Sequence, residues 1–170
     1  WTMKFISSDT NIWIDFELIG QLEMTFKLPY RYLMNIDAVE DELLSPPDLG
    51  KRLVELGLET VELSTEEFFL AEEYMARFSK PSRYDCVALA IAKCRGIILM
   101  TGDGPLRKAA EKEGVPVMGT IGVLDQLYRD KYISENVYLD CLRRLKSYNG
   151  GKVRLPGKEL DKRIETVLQK

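Results

Sequence analysis

The chain has 170 residues, 45% of them hydrophobic, so length and composition favour one domain with a sizeable core. It contains no histidine, which excludes Ser-His and Cys-His nucleophiles and the usual zinc sites and leaves oxygen ligands that suit Mg²⁺, Mn²⁺ or Ca²⁺. A net charge of −3 argues against a generic nucleic-acid binder, and no apolar run approaches the roughly 20 residues of a membrane span. Three cysteines and no visible leader segment predict reduced thiols in a cytoplasmic protein.

Apolar runs bounded by turn residues alternate with amphipathic stretches along the chain. Met3 is the predicted initiator, preceded by Trp1 and Thr2. Strands are predicted over residues 3–8, 32–36, 59–63, 97–101 and 115–118. Helices are predicted over residues 10–20, 37–44, 48–56, 64–78, 82–95 and 104–113, and from 120 onward with breaks near 132 and 149–151. This alternation predicts a three-layer α/β/α fold around a central parallel sheet.

Several boundaries have specific signals. Asp37 is predicted to cap the second helix, and Ser64 with Glu67 forms a capping box. Pro116 cannot donate a ladder hydrogen bond, so the last strand is expected at the edge of the sheet. Two regions are predicted, a main domain over residues 3–148 and a basic helical C-terminal tail over 149–170.

Three acids occupy positions where active sites of parallel sheets form, beyond the carboxyl ends of the strands. Asp9 directly follows the first strand, and Asp103 follows the strand over 97–101. Asp85 lies in the first turn of a helix that starts at the same edge. Each has a simpler explanation, because Asp9 and Asp103 are suited to cap a following helix and Asp85 to complement a helix dipole.

Glu42 is harder to explain as an ordinary surface acid. On a helical wheel it falls among Ala38, Val39 and Leu43, inside the apolar stripe, whereas Glu40 falls outside it. A carboxylate on a buried face needs a partner. Four clustered carboxylates would also repel one another unless a divalent cation neutralised them. The pattern therefore predicts a metal site.

The order of the motifs resembles the PIN-domain family. The motifs are DTN after the first strand, VEDELL on a helix, RYDCVALAIA, and IILMTGDGPLRKAA. Together they cover roughly residues 3–127. The resemblance implies a parallel sheet between helices and an acidic site that binds Mg²⁺ or Mn²⁺. It matches Asp9, Glu42, Asp85 and Asp103 to the family's acidic positions, Asn11 to the asparagine of its D-x-N motif, and Thr101 to the hydroxyl residue of its T-x-D motif.

The resemblance also implies an activity. Family members are mostly ribonucleases, many of them toxins of toxin–antitoxin pairs, so the expected function is metal-dependent hydrolysis of RNA phosphodiester bonds. Asp9 and Asp103 are expected as direct metal ligands, and Glu42 and Asp85 as ligands or as groups that orient a water molecule. A small antitoxin partner and a homodimer are expected in the same way. The sequence after residue 119 is similar to a longer branch of the family than the shortest toxins.

Cations near the acidic motifs are candidates to hold the RNA backbone. They are Arg83, Arg107 and Lys108, and ordinary surface charge is the simpler explanation. From Arg143 to the end, nine Lys and Arg face three acids, giving +6, whereas residues 1–142 carry −9. This basic tail is predicted either to grip RNA or to pack on the body, since Ile164, Val167 and Leu168 form an apolar stripe.

Two other functions remain open from the sequence. A haloacid-dehalogenase-like phosphatase shares a strand followed by Asp, and its G-D-G motif matches residues 102–104. That family also requires a second Asp two residues after the first, where this chain has Asn11, and it leaves Glu42 unexplained. The other alternative is a PIN fold without catalysis that acts as a binding or regulatory module.

Overall fold

The computed structural model describes residues 3–170; Trp1 and Thr2, which precede the predicted initiator, lie outside the described residues. The strands form a parallel sheet with the order β3-β2-β1-β4-β5. They are β1 (Lys4–Ser8), β2 (Tyr30–Asn35), β3 (Glu59–Val61), β4 (Ile98–Met100) and β5 (Val117–Met118). The parallel sheet and the edge position of β5 confirm the predicted architecture.

Helices follow every strand, as the alternation of the sequence predicted. They are α1 (Thr10–Leu18), α2 (Leu22–Thr25), α3 (Ile36–Glu42), α4 (Leu49–Leu56), α5 (Thr65–Arg77), α6 (Arg83–Arg95), α7 (Gly104–Lys112), α8 (Thr120–Arg129), α9 (Glu135–Tyr148) and α10 (Gly157–Leu168). The short helix α2 was not predicted. Among residues 3–170, no helix is long and apolar enough to cross a membrane.

The sheet separates two hydrophobic cores. Ile6, Tyr32 and Met100 face one core, which they share with α1, α8, α9 and α10. Leu99 faces the other core, built with α5, α6 and α7. Neighbouring strand residues point to opposite faces, so Leu99 and Met100 are both fully buried, which explains the continuous apolar run of β4.

Helix caps show where local rules held and where one failed. Ser64 and Glu67 form the predicted capping box of α5. The predicted cap at Asp37 is wrong, because the Asn35 side chain accepts the amide of Ala38 at 3.3 Å and α3 begins at Ile36. Asn35 ends β2 with extended backbone, which is the N-cap geometry, so Asp37 is left in the first turn.

The C-terminal segment, residues 149–170, packs into the main core. Val153, Leu155, Leu160 and Val167 are buried in the same cluster as the residues of the central strands. Helix α10 lies against α9. The segment is helical as predicted, and the division into regions 3–148 and 149–170 stays a prediction.

Candidate functional site

Asp9 lies at the carboxyl edge of the sheet, directly after β1. Its backbone amide donates to the carbonyl of Met100, and its side chain is only 2% exposed. The carboxylate oxygen Oδ2 accepts from Thr101 Oγ1 at 2.9 Å and from Asn11 Nδ2 at 3.3 Å. The structure therefore places Asn11 and Thr101 against Asp9, where they fix its orientation.

Asp85 is an acidic neighbour of Asp9. It lies in the first turn of α6, and its Oδ2 accepts the amide of Ser82 at 2.8 Å as half of a capping box. Burial raises the pKa of Asp9 well above its ordinary value, and the charge of Asp85 adds to this. Burial also raises the pKa of Asp85, and the charge of Asp103 acts in the same direction. Asp85 thus caps a helix and also belongs to the acidic cluster.

Asp103 has a similar double role. It follows β4, and its amide donates to Thr101 Oγ1 at 3.0 Å, so that Thr101 links Asp103 to Asp9. Its Oδ2 accepts the amide of Leu106 at 2.9 Å and caps α7. The simpler explanation as a helix cap is therefore correct as well, and it uses one of the two carboxylate oxygens.

Glu42 is the last residue of α3 and is half-buried. It accepts from Thr10 Oγ1 at 2.6 Å, next to Asp9 in the chain. Burial raises the pKa of Glu42, and the charges of Asp85 and Asp41 add to this, while the bond from Thr10 opposes it. Glu40 is exposed, so the structure places Glu42 and not Glu40 beside the other acids.

The chemistry of these side chains fits a hard divalent cation. Within residues 3–170, none of the four acids forms an ion pair with Lys or Arg. Asp9 is buried, Glu42 and Asp85 are half-buried, and burial raises the pKa of all three. Carboxylates in this state without a cationic partner favour a bound cation, and oxygen ligands suit Mg²⁺ or Mn²⁺. In the same residues, no three acidic or cysteine side chains are arranged as a ready-made ion site. The donor set fits the ion, and a complete coordination shell is not preformed.

A cavity of about 300 Å³ opens beside Asp103. Asn11, Asp15 and Gly102 line it together with Asp103, and the C-terminal segment contributes Gly151, Lys152 and Arg154. A larger cavity of about 480 Å³ lies between α7, β5 and the C-terminal segment, lined by Arg107 and Arg163 among others. None of the four acids lines that larger cavity; Asp103 lines the smaller one, and Asp9 lines a separate small pocket with Thr10 and Tyr84.

Asp15 is a carboxylate that the sequence analysis did not single out. It is 4% exposed, and its Oδ2 accepts from Thr120 Oγ1 at 2.6 Å. Burial raises the pKa of Asp15 to about 6, although the bond from Thr120 opposes the shift. The signal was present, because Asp15 shares the buried face of α1 with Ile12 and Phe16. The argument that selected Glu42 applies equally to Asp15.

Comparison with known proteins identifies the family. A family model described as PIN domain matches residues 5–167. The chain belongs to the PIN-domain family. No curated protein and no solved structure matches. The match extends well past residue 127, where the resemblance of the motifs ended, and it includes the C-terminal segment of this PIN domain.

The cations predicted to hold RNA are scattered over the PIN domain. Arg83 is exposed at the start of α6, near Asp85, and Lys108 is exposed on α7. Arg107 Nη2 lies 2.8 Å from the position that a Cβ at Gly119 would take, and Arg107 lines the larger cavity. The structure does not bring Arg107 and Lys108 to the cavity beside Asp103. Their role in RNA binding stays a prediction.

Proposed function

We propose that this PIN domain is a metal-dependent endoribonuclease that hydrolyses phosphodiester bonds of RNA. The observation that carries the proposal is the buried Asp9 beside the half-buried Asp85 and Glu42, with Asp103 after the adjacent strand, all without an ion-pair partner in the described residues. The family is one of nucleases, and a nuclease has to bring a polyanion to its acids. A divalent cation reconciles the two charges.

The residues have distinct tasks in this proposal. Bound Mg²⁺ or Mn²⁺ supplies the Lewis acid that neutralises charge on the phosphate and activates water. Asp9 and Asp103, at the ends of adjacent strands, provide carboxylate ligands. Glu42 and Asp85 complete the oxygen donors or orient the attacking water. This division also explains why both approach from helices α3 and α6 rather than from the strands.

Asn11 and Thr101 act through Asp9. The two side chains donate to the same oxygen of Asp9, at 3.3 Å and 2.9 Å. Such bonds fix the carboxylate in one orientation and favour its charged form. They therefore prepare Asp9 for a cation, against the burial that would otherwise keep it protonated.

The test compares two glutamates of helix α3. We expect wild-type protein with Mg²⁺ or Mn²⁺ to cut single-stranded RNA, measured by gel electrophoresis of an end-labelled oligonucleotide. Glu42→Gln should lower kcat/KM by on the order of 100-fold or more, because it removes a ligand or water-orienting group. Glu40→Gln makes the same charge change at an exposed position and should retain activity.

The reverse ranking of these variants would contradict the assignment of Glu42. Activity that survives both Glu42→Gln and Asp9→Asn would contradict the acidic site as a whole. Wild-type protein that binds RNA and metal without cutting would instead support the alternative of a silent binding module. Hydrolysis of an aryl phosphate without RNA cleavage would revive the phosphatase alternative.

The biological setting belongs to the same proposal. We propose RNA as the substrate in a cytoplasmic setting, a homodimeric state, and a role as the toxin of a toxin–antitoxin pair with a small antitoxin. These expectations come from the resemblance to toxin members of the family. A neighbouring reading frame that encodes a small basic DNA-binding protein would support the toxin role. Sedimentation of the purified protein would decide its oligomeric state.

A further inference from the structure

The cations of the C-terminal region fall into two groups. Arg144, Lys146, Arg163 and Lys170 each pair with an acid. The second group forms no ion pair or side-chain hydrogen bond within residues 3–170; it comprises Arg143, Lys152, Arg154, Lys158 and Lys162. Of these five, only Lys152 and Arg154 line the cavity beside Asp103. Two of the unpaired cations of the C-terminal region therefore lie at the cavity beside Asp103.

The backbone presents these two side chains together. Residues 152–155 alternate between exposed and buried, so that Lys152 and Arg154 are exposed while Val153 and Leu155 are buried. Both exposed residues line the cavity beside Asp103. Val153 and Leu155 belong to the main hydrophobic core and hold the segment against the body.

Hydrogen bonds at Asn149 stabilise the same segment. Asn149 Nδ2 donates to the carbonyl of Leu155 at 2.9 Å, and the amide of Leu155 donates to Asn149 Oδ1 at 2.8 Å. The amide of Gly150 also donates to the carbonyl of Val153 at 2.8 Å. The turn is closed by backbone and side-chain bonds, so the positions of Lys152 and Arg154 do not depend on a free tail.

The cavity is therefore lined by side chains of both charges, the acids Asp15 and Asp103 and the cations Lys152 and Arg154. A metal ion needs only the acids, whereas a phosphodiester chain also needs positive charge beside it. Arginine and lysine are the usual ligands of phosphate oxygens in proteins that bind nucleic acids.

We propose that Lys152 and Arg154 bind the RNA phosphate that neighbours the scissile phosphate, and so position the strand over the acidic site. The inference rests on the proposed ribonuclease function and adds a substrate-binding element to it. It assigns this task to the C-terminal segment, because the predicted cations Arg83, Arg107 and Lys108 do not line the cavity beside Asp103. Lys152 and Arg154 are positioning residues in this scheme.

Removing the tail cannot test the proposal. Truncation after Tyr148 would also remove Val153, Leu155, Leu160 and Val167 from the core. Losing four buried apolar side chains, each worth about 1.5–3 kcal/mol, approaches the whole stability of a domain. Substitutions that keep the chain length are needed instead.

The experiment compares two double variants with the same change in charge. Lys152→Gln with Arg154→Gln removes the cations of the cavity, and Lys158→Gln with Lys162→Gln removes two exposed cations of α10 that do not line it. Binding of fluorescent single-stranded RNA is measured by anisotropy with Ca²⁺ in place of Mg²⁺, over a salt series, and intact RNA is confirmed on a gel. Steady-state cleavage with Mn²⁺ gives KM and kcat.

The cavity variant should bind RNA on the order of 10-fold more weakly at 0.1 M salt. Its slope of log K against log salt should be shallower by about 0.7, because a single strand releases about 0.7 counterion for each phosphate that is neutralised. KM should rise more than kcat falls. The α10 variant should match the wild type, and calorimetric Mn²⁺ binding should persist in both variants.

Equal salt slopes for the cavity variant and the wild type would overturn the inference, as would equal losses in the two double variants. If either result accompanies RNA cleavage by the wild type, the ribonuclease function stands and only the role of Lys152 and Arg154 fails. Wild-type protein that neither binds nor cuts RNA would overturn the ribonuclease proposal, and the inference would fall with it.

Discussion

Two carboxylates of this PIN domain, Asp9 and Asp15, are buried, and burying a charged carboxylate costs folding free energy. Asp15 is the clearest case, because within residues 3–170 its one side-chain donor is the hydroxyl of Thr120, and its pKa is raised to about 6. Asp9 has two donors and the charge of Asp85 beside it. Buried acids with raised pKa values occur most often at functional sites, so Asp9 and Asp15 are both candidates for a functional role.

The burial of Asp15 makes a prediction about pH. Because the folded pKa of about 6 exceeds the ordinary value of 3.8, the folded state holds the proton more tightly, and stability falls as pH rises through this interval. Asp15→Asn keeps an acceptor for Thr120 and removes the charge. The variant should melt roughly 5–10 °C higher than the wild type at pH 8, from a cost of about 2–3 kcal/mol, with only a small difference at pH 4.

Thermal unfolding of the metal-free protein followed by circular dichroism measures this effect. Glu72→Gln is the matched control, since Glu72 is an exposed acid of α5. An Asp15→Asn variant that gains no stability at pH 8, or gains the same at pH 4, would show that Asp15 is not charged at a cost in the folded protein.

At the scale of elements, the junction between β4 and α7 concentrates several tasks in a few residues. Thr101 joins Asp9 to Asp103, and Asp103 caps α7. Gly102 between them is buried, and a Cβ there would lie 2.7 Å from Asp15 Oδ2 and 2.9 Å from Thr120 Oγ1. A larger residue would not fit at position 102, because α1, α8 and the β4–α7 junction meet there.

Gly102→Ala should therefore destabilise the protein, by about 1–3 kcal/mol, and should lower its melting temperature by on the order of 5 °C. It should also reduce RNA cleavage, because the displaced atoms line the cavity beside Asp103. Chemical and thermal unfolding measure the first effect, and kcat/KM measures the second.

Gly104→Ala supplies the control two residues away. Nothing lies within 4 Å of a Cβ at Gly104, and this glycine opens α7, so alanine should leave stability unchanged or raise it slightly. If Gly102→Ala were as well tolerated as Gly104→Ala, the contact between α1, α8 and the β4 junction would be looser than described.

At the scale of the whole molecule, charge is divided between two regions. The body over residues 1–142 carries −9 and the region from Arg143 carries +6. Part of the positive charge is used to fasten α10, as when Arg163 pairs with Asp125 at 2.9 Å. The four acids of the site have no Lys or Arg partner within residues 3–170, so the proposed metal ion should raise the melting temperature when it binds.

We expect Mn²⁺ to raise the melting temperature, and to raise it more at pH 8 than at pH 5. Burial raises the pKa values of Asp9, Glu42 and Asp85, so the metal-free protein loses stability as pH rises through them, and the cation binds the deprotonated forms. At a metal concentration 100-fold above Kd, the gain is about 2.7 kcal/mol, or roughly 5–10 °C.

Differential scanning fluorimetry with and without Mn²⁺ across the pH range gives this result directly. Asp9→Asn should abolish most of the shift while it stabilises the metal-free protein at pH 8. A melting curve that is insensitive to millimolar Mn²⁺ at pH 8 would remove the physical basis of the proposed metal dependence.

From the sequence alone, the sheet and its layers were predicted correctly, as was the edge of the sheet at which Asp9 and Asp103 lie. Local patterns suffice for this, because strands and helices follow from hydrophobic period and capping, and a parallel sheet brings Asp9 and Asp103 to one edge by its connectivity. The helical phase also distinguished Glu42 from Glu40. The cap at Asp37 was mispredicted because Asn35 competed for the same role, and this choice depends on where β2 ends.

Which charged side chains are paired, and which line the cavity, depends on contacts between distant parts of the chain. Asp15 and Thr120 are 105 residues apart, and the hydrophobic period of a single helix or strand cannot predict such a contact. The basic tail likewise has the same composition whether it grips a substrate or packs on the body. Folding buries Val153 and Leu155 in the core, while Lys152 and Arg154 stay exposed and line the cavity beside Asp103. Side-chain partnership between distant segments is a property of packing, and the sequence specifies it only through the complete fold.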